Sequence, residues 1–254
     1  MPLQNFLRRG LLSLAGLAMM MAGTAWAGVV VSGTRVIYPG DSHEVTVHLS
    51  NQGKTPILVE TWMDQGDPNI KPEDAQVPFT LSPPVFRLDP AKGQTLKMMY
   101  TQEALPQDKE TVFWLNVLEV PPKDKNVAGG NVLEMAYRTR IKVFFRPAGL
   151  KGDPAKAAQQ VHWKILPPTP GQDLTVQCDN PTPYAVSFNN VVLQADGRDL
   201  LPANATRGGM AKPGETGNFV MHGLKSVPAG SLTVDYQSID DYGAMHKQAA
   251  PLNP

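Results

Sequence analysis

One cysteine, Cys178, occurs in 254 residues, so the chain can form no intramolecular disulfide and no multi-cysteine zinc or iron–sulfur centre. An excess of either charge is also missing, since 23 Lys and Arg stand against 23 Asp and Glu. That balance excludes bulk electrostatics as a route to nucleic acid or an anionic bilayer, which needs a basic stripe or a strong positive balance. Long apolar runs are absent too. Residues 11–22 make a run of 12, whereas a bilayer-crossing helix takes about 20, and nothing later approaches that length. The sequence therefore predicts no membrane insertion. Catalytic signatures are equally scarce. There is no G-x-S-x-G and no H-E-x-x-H, and His43, His48, His162, His222 and His246 lack metal-ligand spacing. No metal, cofactor or enzyme activity is expected.

The N-terminus reads as an export signal. Arg8 and Arg9 form a positive start, residues 11–22 the apolar centre, and Ala25-Trp26-Ala27 the small-residue site, which predicts cleavage before Gly28. Loss of residues 1–27 removes two arginines and no acid, leaving 21 basic and 23 acidic residues, net −2. An exported chain without a disulfide depends on core packing alone.

The remainder is rich in turn formers, with 22 Gly and 24 Pro, and apolar residues recur at every second position between them. Val45, Val47 and Leu49 alternate, as do Leu96, Met98 and Tyr100; residues 57–62, 85–88 and 112–120 continue the pattern. Half-buried strands have this period, and their regular spacing predicts antiparallel sandwiches rather than a parallel sheet. After Arg146-Pro147 a small, polar stretch at 148–153 reads as a linker. The alternation then restarts at 161–166, 174–178, 184–193, 217–221 and 231–236. Two domains of about 100 residues each fit, with 28–147 and 148–254 as expected bounds. Residues 155–160 are expected to make one short helical turn.

One expected strand is unusually long. Residues 132–145 contain no Gly or Pro. Their odd positions, Leu133, Met135, Tyr137, Thr139, Ile141, Val143 and Phe145, are neutral or apolar. The even positions carry Glu134, Arg138, Arg140 and Lys142. Such a strand could cover its own core at a sheet edge while its cations discourage aggregation. Alternatively it could lend an edge to another protein, with backbone hydrogen bonds giving affinity and alternate side chains filling pockets.

Several stretches carry a resemblance: Thr34-Arg35-Val36-Ile37-Tyr38, residues 113–122 (FWLNVLEVPP), residues 140–147 (RIKVFFRP), residues 178–184 (CDNPTPY) and residues 239–244 (IDDYGA). They span the mature chain in order, and the sequence resembles the periplasmic pilus-assembly chaperones of the PapD/FimC type. The resemblance implies two immunoglobulin-like β-sandwich domains in a boomerang arrangement around a cleft. It implies a chaperone of the periplasm that caps pilin subunits by donor-strand complementation and passes them to an outer-membrane usher. By the same resemblance, Arg35 and Lys142 would anchor a subunit's C-terminal carboxylate, which suits a guanidinium grip and an ammonium point charge. Leu133, Met135 and Tyr137 would supply the donor-strand side chains, Tyr137 being bulkier than the usual aliphatic. Glu110, Arg146 and Asp241 would form an interdomain charge network. The short segment 123–131 suggests the subclass that builds rod-like pili.

Taken without the motifs, Arg35 and Lys142 would read as ordinary surface charges. Trp62, Trp114 and Trp163 would read as core residues and Cys178 as a small packed side chain. A secreted adhesin built from the same domains stays open as a second function. The anchor pair argues for the chaperone, because an adhesin has no use for it.

Overall fold

The computed structural model describes residues 28–122, 135–200 and 208–252. It is built almost wholly of strands. The first domain contains β1 (Val29–Val31), β2 (Arg35–Pro39), β3 (Glu44–Asn51), β4 (Ile57–Asp64), β5 (Phe79–Ser82), β6 (Val85–Leu88), β7 (Gly93–Tyr100), β8 (Thr111–Val120) and β9 (Tyr137–Arg146). One sheet runs β1-β3-β7-β5 and the other β2-β9-β8-β4-β6. In the described pairings of this domain, β2 with β9 is parallel and the rest are antiparallel.

The alternation read from the sequence fills the space between these sheets. Val47 and Leu49 of β3 and Leu96 and Met98 of β7 meet Val59, Phe113, Leu115, Val117, Ile141, Val143 and Phe145. Fully burying each such side chain contributes about 1.5–3 kcal/mol. Tyr38 lies at the centre of an aromatic cluster with Phe79, Tyr100 and Phe145. Its buried hydroxyl accepts the Tyr100 N–H at 3.0 Å and is placed 3.1 Å from the Ser42 and His43 carbonyls, so burial leaves no polar atom unmet.

The second domain contains α1 (Pro154–Ala157), β10 (His162–Ile165), β11 (Leu174–Asp179), β12 (Val186–Ala195), β13 (Arg198–Asp199), β14 (Gly209–Ala211), β15 (Thr216–Met221), β16 (Leu232–Ile239) and β17 (Met245–Leu252). Its sheets are β10-β11-β15 and β13-β12-β16-β17, with β14 also paired to β12. Helix α1 is the expected short turn. The Asp153 carboxylate caps it by accepting the Ala155 N–H at 2.9 Å, and Pro154 occupies its first turn. Trp163, Phe188, Phe219 and Tyr236 pack in edge-on and tilted pairs in the interior. Cys178 is buried among them, and burial pushes its thiol up to about 12. This is a packing residue rather than a nucleophile.

Strand β9 begins at Tyr137, and Met135 and Ala136 precede it without strand pairing. Residues 132–134, including Leu133, lie outside the described residues. Two tryptophans also depart from expectation. Trp62 and Trp114 are not in the sandwich interior; they lie on the outward face of the β2-β9-β8-β4-β6 sheet, which faces the second domain at one end.

Candidate functional site

The parallel pairing of β2 with β9 sets Arg35 opposite Lys142. Neighbouring strands lie about 4.8 Å apart, so two cations distant in sequence become adjacent on one sheet face. The row continues through Trp114 on β8 to Asp64 on β4. The next row holds Arg140, Asn116 and Trp62.

Both cations reach the second domain. The Arg35 Nη1 donates to the Ile239 carbonyl at 3.0 Å, and its guanidinium carbon lies 5.7 Å from the Phe144 ring centre. Its Nε is buried without a partner. Lys142 Nζ donates to Ser187 Oγ at 3.1 Å. Neither side chain forms an ion pair with a described carboxylate. Burial, followed by the neighbouring Arg35 charge, pulls the Lys142 ammonium down to about 8. Burial also lowers Arg35, opposed by the more distant Asp241 and Asp240. Like charges held side by side in a desolvated corner favour a bound anion.

The domain junction beside them is a charge cluster. Arg146, at the end of β9, places Nη1 and Nη2 at 2.7 and 2.9 Å from the two oxygens of Asp241, a bidentate grip. Its Nε donates to Glu110 Oε1 at 2.5 Å. Glu110 is 3% exposed, and its Oε2 accepts the Ala185 N–H at 2.7 Å. Burial holds the Glu110 carboxyl above its ordinary range, although Arg146 and the Ala185 N–H oppose this. The same contacts raise Arg146 despite its burial.

The segment carrying Asn180 and Pro183 shapes this junction. Buried Asn180 donates to the Tyr184 and Ala211 carbonyls at 2.7 and 3.0 Å, and its Oδ1 accepts from Thr182. The loop so fixed presents the Pro183 carbonyl to the Glu110 N–H at 2.9 Å. Arg35, Glu110, Arg146, Asp240 and Asp241 line a cavity of about 40 Å³ at the junction.

Beyond the cation pair, β9 becomes a sheet edge. Strand β2 pairs only with residues 142–146, whereas β8 pairs with 137–145. Residues 137–141 therefore have one side without a described strand partner. Met135 is 50% and Tyr137 58% exposed, in line with this open edge.

Sequence reasoning did not single out Arg138, Arg140, Asp64 or Asn116. Arg140 bonds to both oxygens of Asp64, through Nε at 3.0 Å and through Nη2. Asn116 Nδ2 donates to Asp64 Oδ2 at 2.7 Å. The Arg140 guanidinium lies 4.7 Å from the Trp114 ring centre and that of Arg138 5.8 Å from Trp62, both within cation–π range. Their spacing on the charged face of the strand was visible in the sequence; their partners on β4 and β8 were not. Among the described residues, no group of three His, Cys, Asp or Glu could hold a metal ion.

Family models match both halves. The "Pili and flagellar-assembly chaperone, PapD N-terminal domain" matches residues 28–151 and the "Pili assembly chaperone PapD, C-terminal domain" residues 156–250. The probable fimbrial chaperone YadV of Escherichia coli K12 is 43% identical over 228 residues, covering 89% of this chain and 90% of its own. The chaperone protein FimB/FhaD of Bordetella pertussis is 39% identical over 243 residues, covering 93% and 94%. The crystal structure of YadV superposes with a TM-score of 0.73 over 89% of this chain and all of that one, at 40% identity. The SafB chaperone of Salmonella enterica, solved with the SafA pilin, superposes with a TM-score of 0.70 at 25% identity over 91% and 99%. With two immunoglobulin-like sandwiches and both family domains in place, the chain belongs to the PapD family of fimbrial, pilus-assembly chaperones.

Proposed function

We propose that this protein is a periplasmic binding chaperone, not a catalyst, which caps pilin subunits by donor-strand complementation and delivers them to an outer-membrane usher. Residues 1–27 act as the export signal, 28–147 form the pilin-binding domain and 148–254 the second domain. Arg35 and Lys142 receive the subunit's C-terminal carboxylate. Tyr137, Met135 and Leu133 then continue along the subunit and fill its apolar groove, while Glu110, Arg146 and Asp241 hold the domains at a working angle.

The observation that carries this reading is the coincidence of two half-buried, in-register cations with an open strand edge starting one residue away. The pair supplies a point anchor for a chain terminus. From Lys142 to Met135 is seven residues, roughly 23 Å of extended strand, enough to register several alternating side chains in a partner.

The test is co-expression with a pilin and recovery of a 1:1 complex. Arg35→Ala is expected to abolish capture while leaving the unfolding transition and circular dichroism unchanged. A variant that still protects its pilin from proteolysis would remove the anchoring role.

A further inference from the structure

A third buried carboxylate, after Glu110 and Asp64, lies at the other end of the first domain. Glu119 projects from the inner face of β8 and is 7% exposed. Its Oε2 accepts the Val29 N–H at 2.9 Å. It forms no ion pair with a described lysine, arginine or histidine. Burial lifts its carboxyl above the ordinary range, only partly offset by the Val29 hydrogen bond.

Gly28 packs directly on this group. A Cβ at Gly28 would stand 2.1 Å from Glu119 Oε2 and 3.5 Å from Ile57 Cδ1, so a side chain here would displace the carboxylate from its present position. The nitrogen and Cβ of one residue are about 2.5 Å apart, which puts the Gly28 nitrogen within about 4.6 Å of that oxygen. The Gly28 carbonyl is held as well, accepting the Gln52 N–H at 2.9 Å. Gly28 is the residue that follows Ala25-Trp26-Ala27.

We propose that Glu119 is the receptor for the chain's own processed N-terminus, with the Gly28 α-ammonium as its counter-ion. This rests on the reading that residues 1–27 are an export signal. A signal peptidase adds water across the Ala27–Gly28 amide. The C–N bond breaks, Ala27 leaves as a carboxylate, and Gly28 becomes an amine that takes up a proton at neutral pH. Before cleavage that nitrogen is a neutral amide, and Glu119 has no ion-pair partner among the described residues. After cleavage the charge is matched. The corner adjoins a cavity of about 340 Å³ whose lining includes Lys54, Glu119, Met135 and Tyr137. Processing would thus set the N-terminal edge strand next to the segment that enters the donor strand.

The experiment compares protein secreted through its own signal with protein that retains Ala27 ahead of Gly28, each with Glu119 or Glu119→Gln. Intact mass first identifies the secreted N-terminus. A start other than Gly28 refutes the cleavage reading and the inference with it. With a Gly28 start, urea unfolding at pH 6.5 is expected to show Ala27 retention raising the unfolded fraction about 5- to 30-fold, with no such effect in Glu119→Gln. A free α-amine titrates near 7.7–8.0, and pairing raises the folded value. The gain is therefore complete below about 8 and disappears as pH climbs through the folded value. An equal response in both backgrounds, or none, overturns the inference while leaving the cleavage reading intact. Should Glu119→Gln not fold, acylation of the Gly28 amine at pH 7 decides: slower reaction in folded than in denatured protein supports pairing, and equal rates refute it.

Discussion

Replacing Lys142 with methionine should stabilise the free protein and at the same time destroy its function. A fall of the ammonium from the ordinary lysine value near 10.5 to about 8 corresponds to about 3 kcal/mol, at about 1.4 kcal/mol per tenfold change. The sign follows from proton binding. Between about 8 and 10.5 the unfolded chain holds the proton and the folded chain has released it, so stability rises with pH across that window. Below about 8 both states are charged, and the folded state bears the whole penalty. Methionine keeps most of the stem packing without the charge, but leaves the Ser187 hydroxyl short of its lysine partner, a loss of about 1 kcal/mol. The net expectation at pH 7 is a gain of about 2 kcal/mol.

Denaturant unfolding of wild type and Lys142→Met at pH 7 and pH 10 checks this. The variant should be the more stable at pH 7, with the difference mostly gone at pH 10, and its pilin capture should be lost. A variant less stable at pH 7, or a difference that ignores pH, would refute the reasoning. Wild-type capture should weaken above pH 8, since an ammonium that has lost its proton attracts no carboxylate.

Arg146→Met leaves the Glu110 carboxylate buried without its cation, so unfolding should become easier by about 3–5 kcal/mol, and small-angle scattering should show a wider spread of domain angles. Arg140→Ala strands Asp64, whose side chain is 1% exposed, and should destabilise the pilin-binding domain by a similar amount; chemical denaturation followed by Trp114 fluorescence would measure it. Met135→Glu should lower complex yield on co-purification with pilin without altering the melting temperature, because Met135 is half exposed in the free protein and, on the proposed reading, would meet an apolar groove only in the complex. Unchanged yield would show that the donor segment uses other positions.

Strands β3 and β7 were legible because they are buried mainly on one face and so alternate. In β3, Val47 and Leu49 point inward while Thr46 and His48 do not. Several short and edge strands were not seen, although β6 and β10 were. β17 pairs along its whole length with β16, yet Met245, His246 and Lys247 are exposed; an edge that buries little carries little periodic signal. Arg35, Lys142, Glu110 and Asp241 were singled out through motifs. The proximity of Arg35 to Lys142 depends on the parallel β2–β9 pairing, which local alternation does not encode. Trp62 and Trp114 show the opposite failure. A buried tryptophan normally implies a sandwich core, but here arginines on the adjacent rows cover the rings from outside.

If Lys142 anchors the subunit as proposed, the stability of the free chaperone and its function pull against each other there, and the junction shows how such a conflict would be sustained. Arg35 and Lys142 repel and are desolvated, so the corner would relax if the second domain could swing away. Arg146 opposes that movement by gripping Asp241 with two nitrogens while its third binds Glu110, which in turn holds the Ala185 N–H. The Ile239 carbonyl that receives Arg35 is two residues from Asp241, so the Arg146–Asp241 contact and the Arg35 contact bear on the same end of one strand. Each cation is therefore held where it has no full counter-charge from a described carboxylate. On the proposed reading, a subunit carboxylate arriving there would relieve both desolvation and repulsion, and binding energy concentrated at one chain terminus would let a protein with no excess of positive charge select an anion.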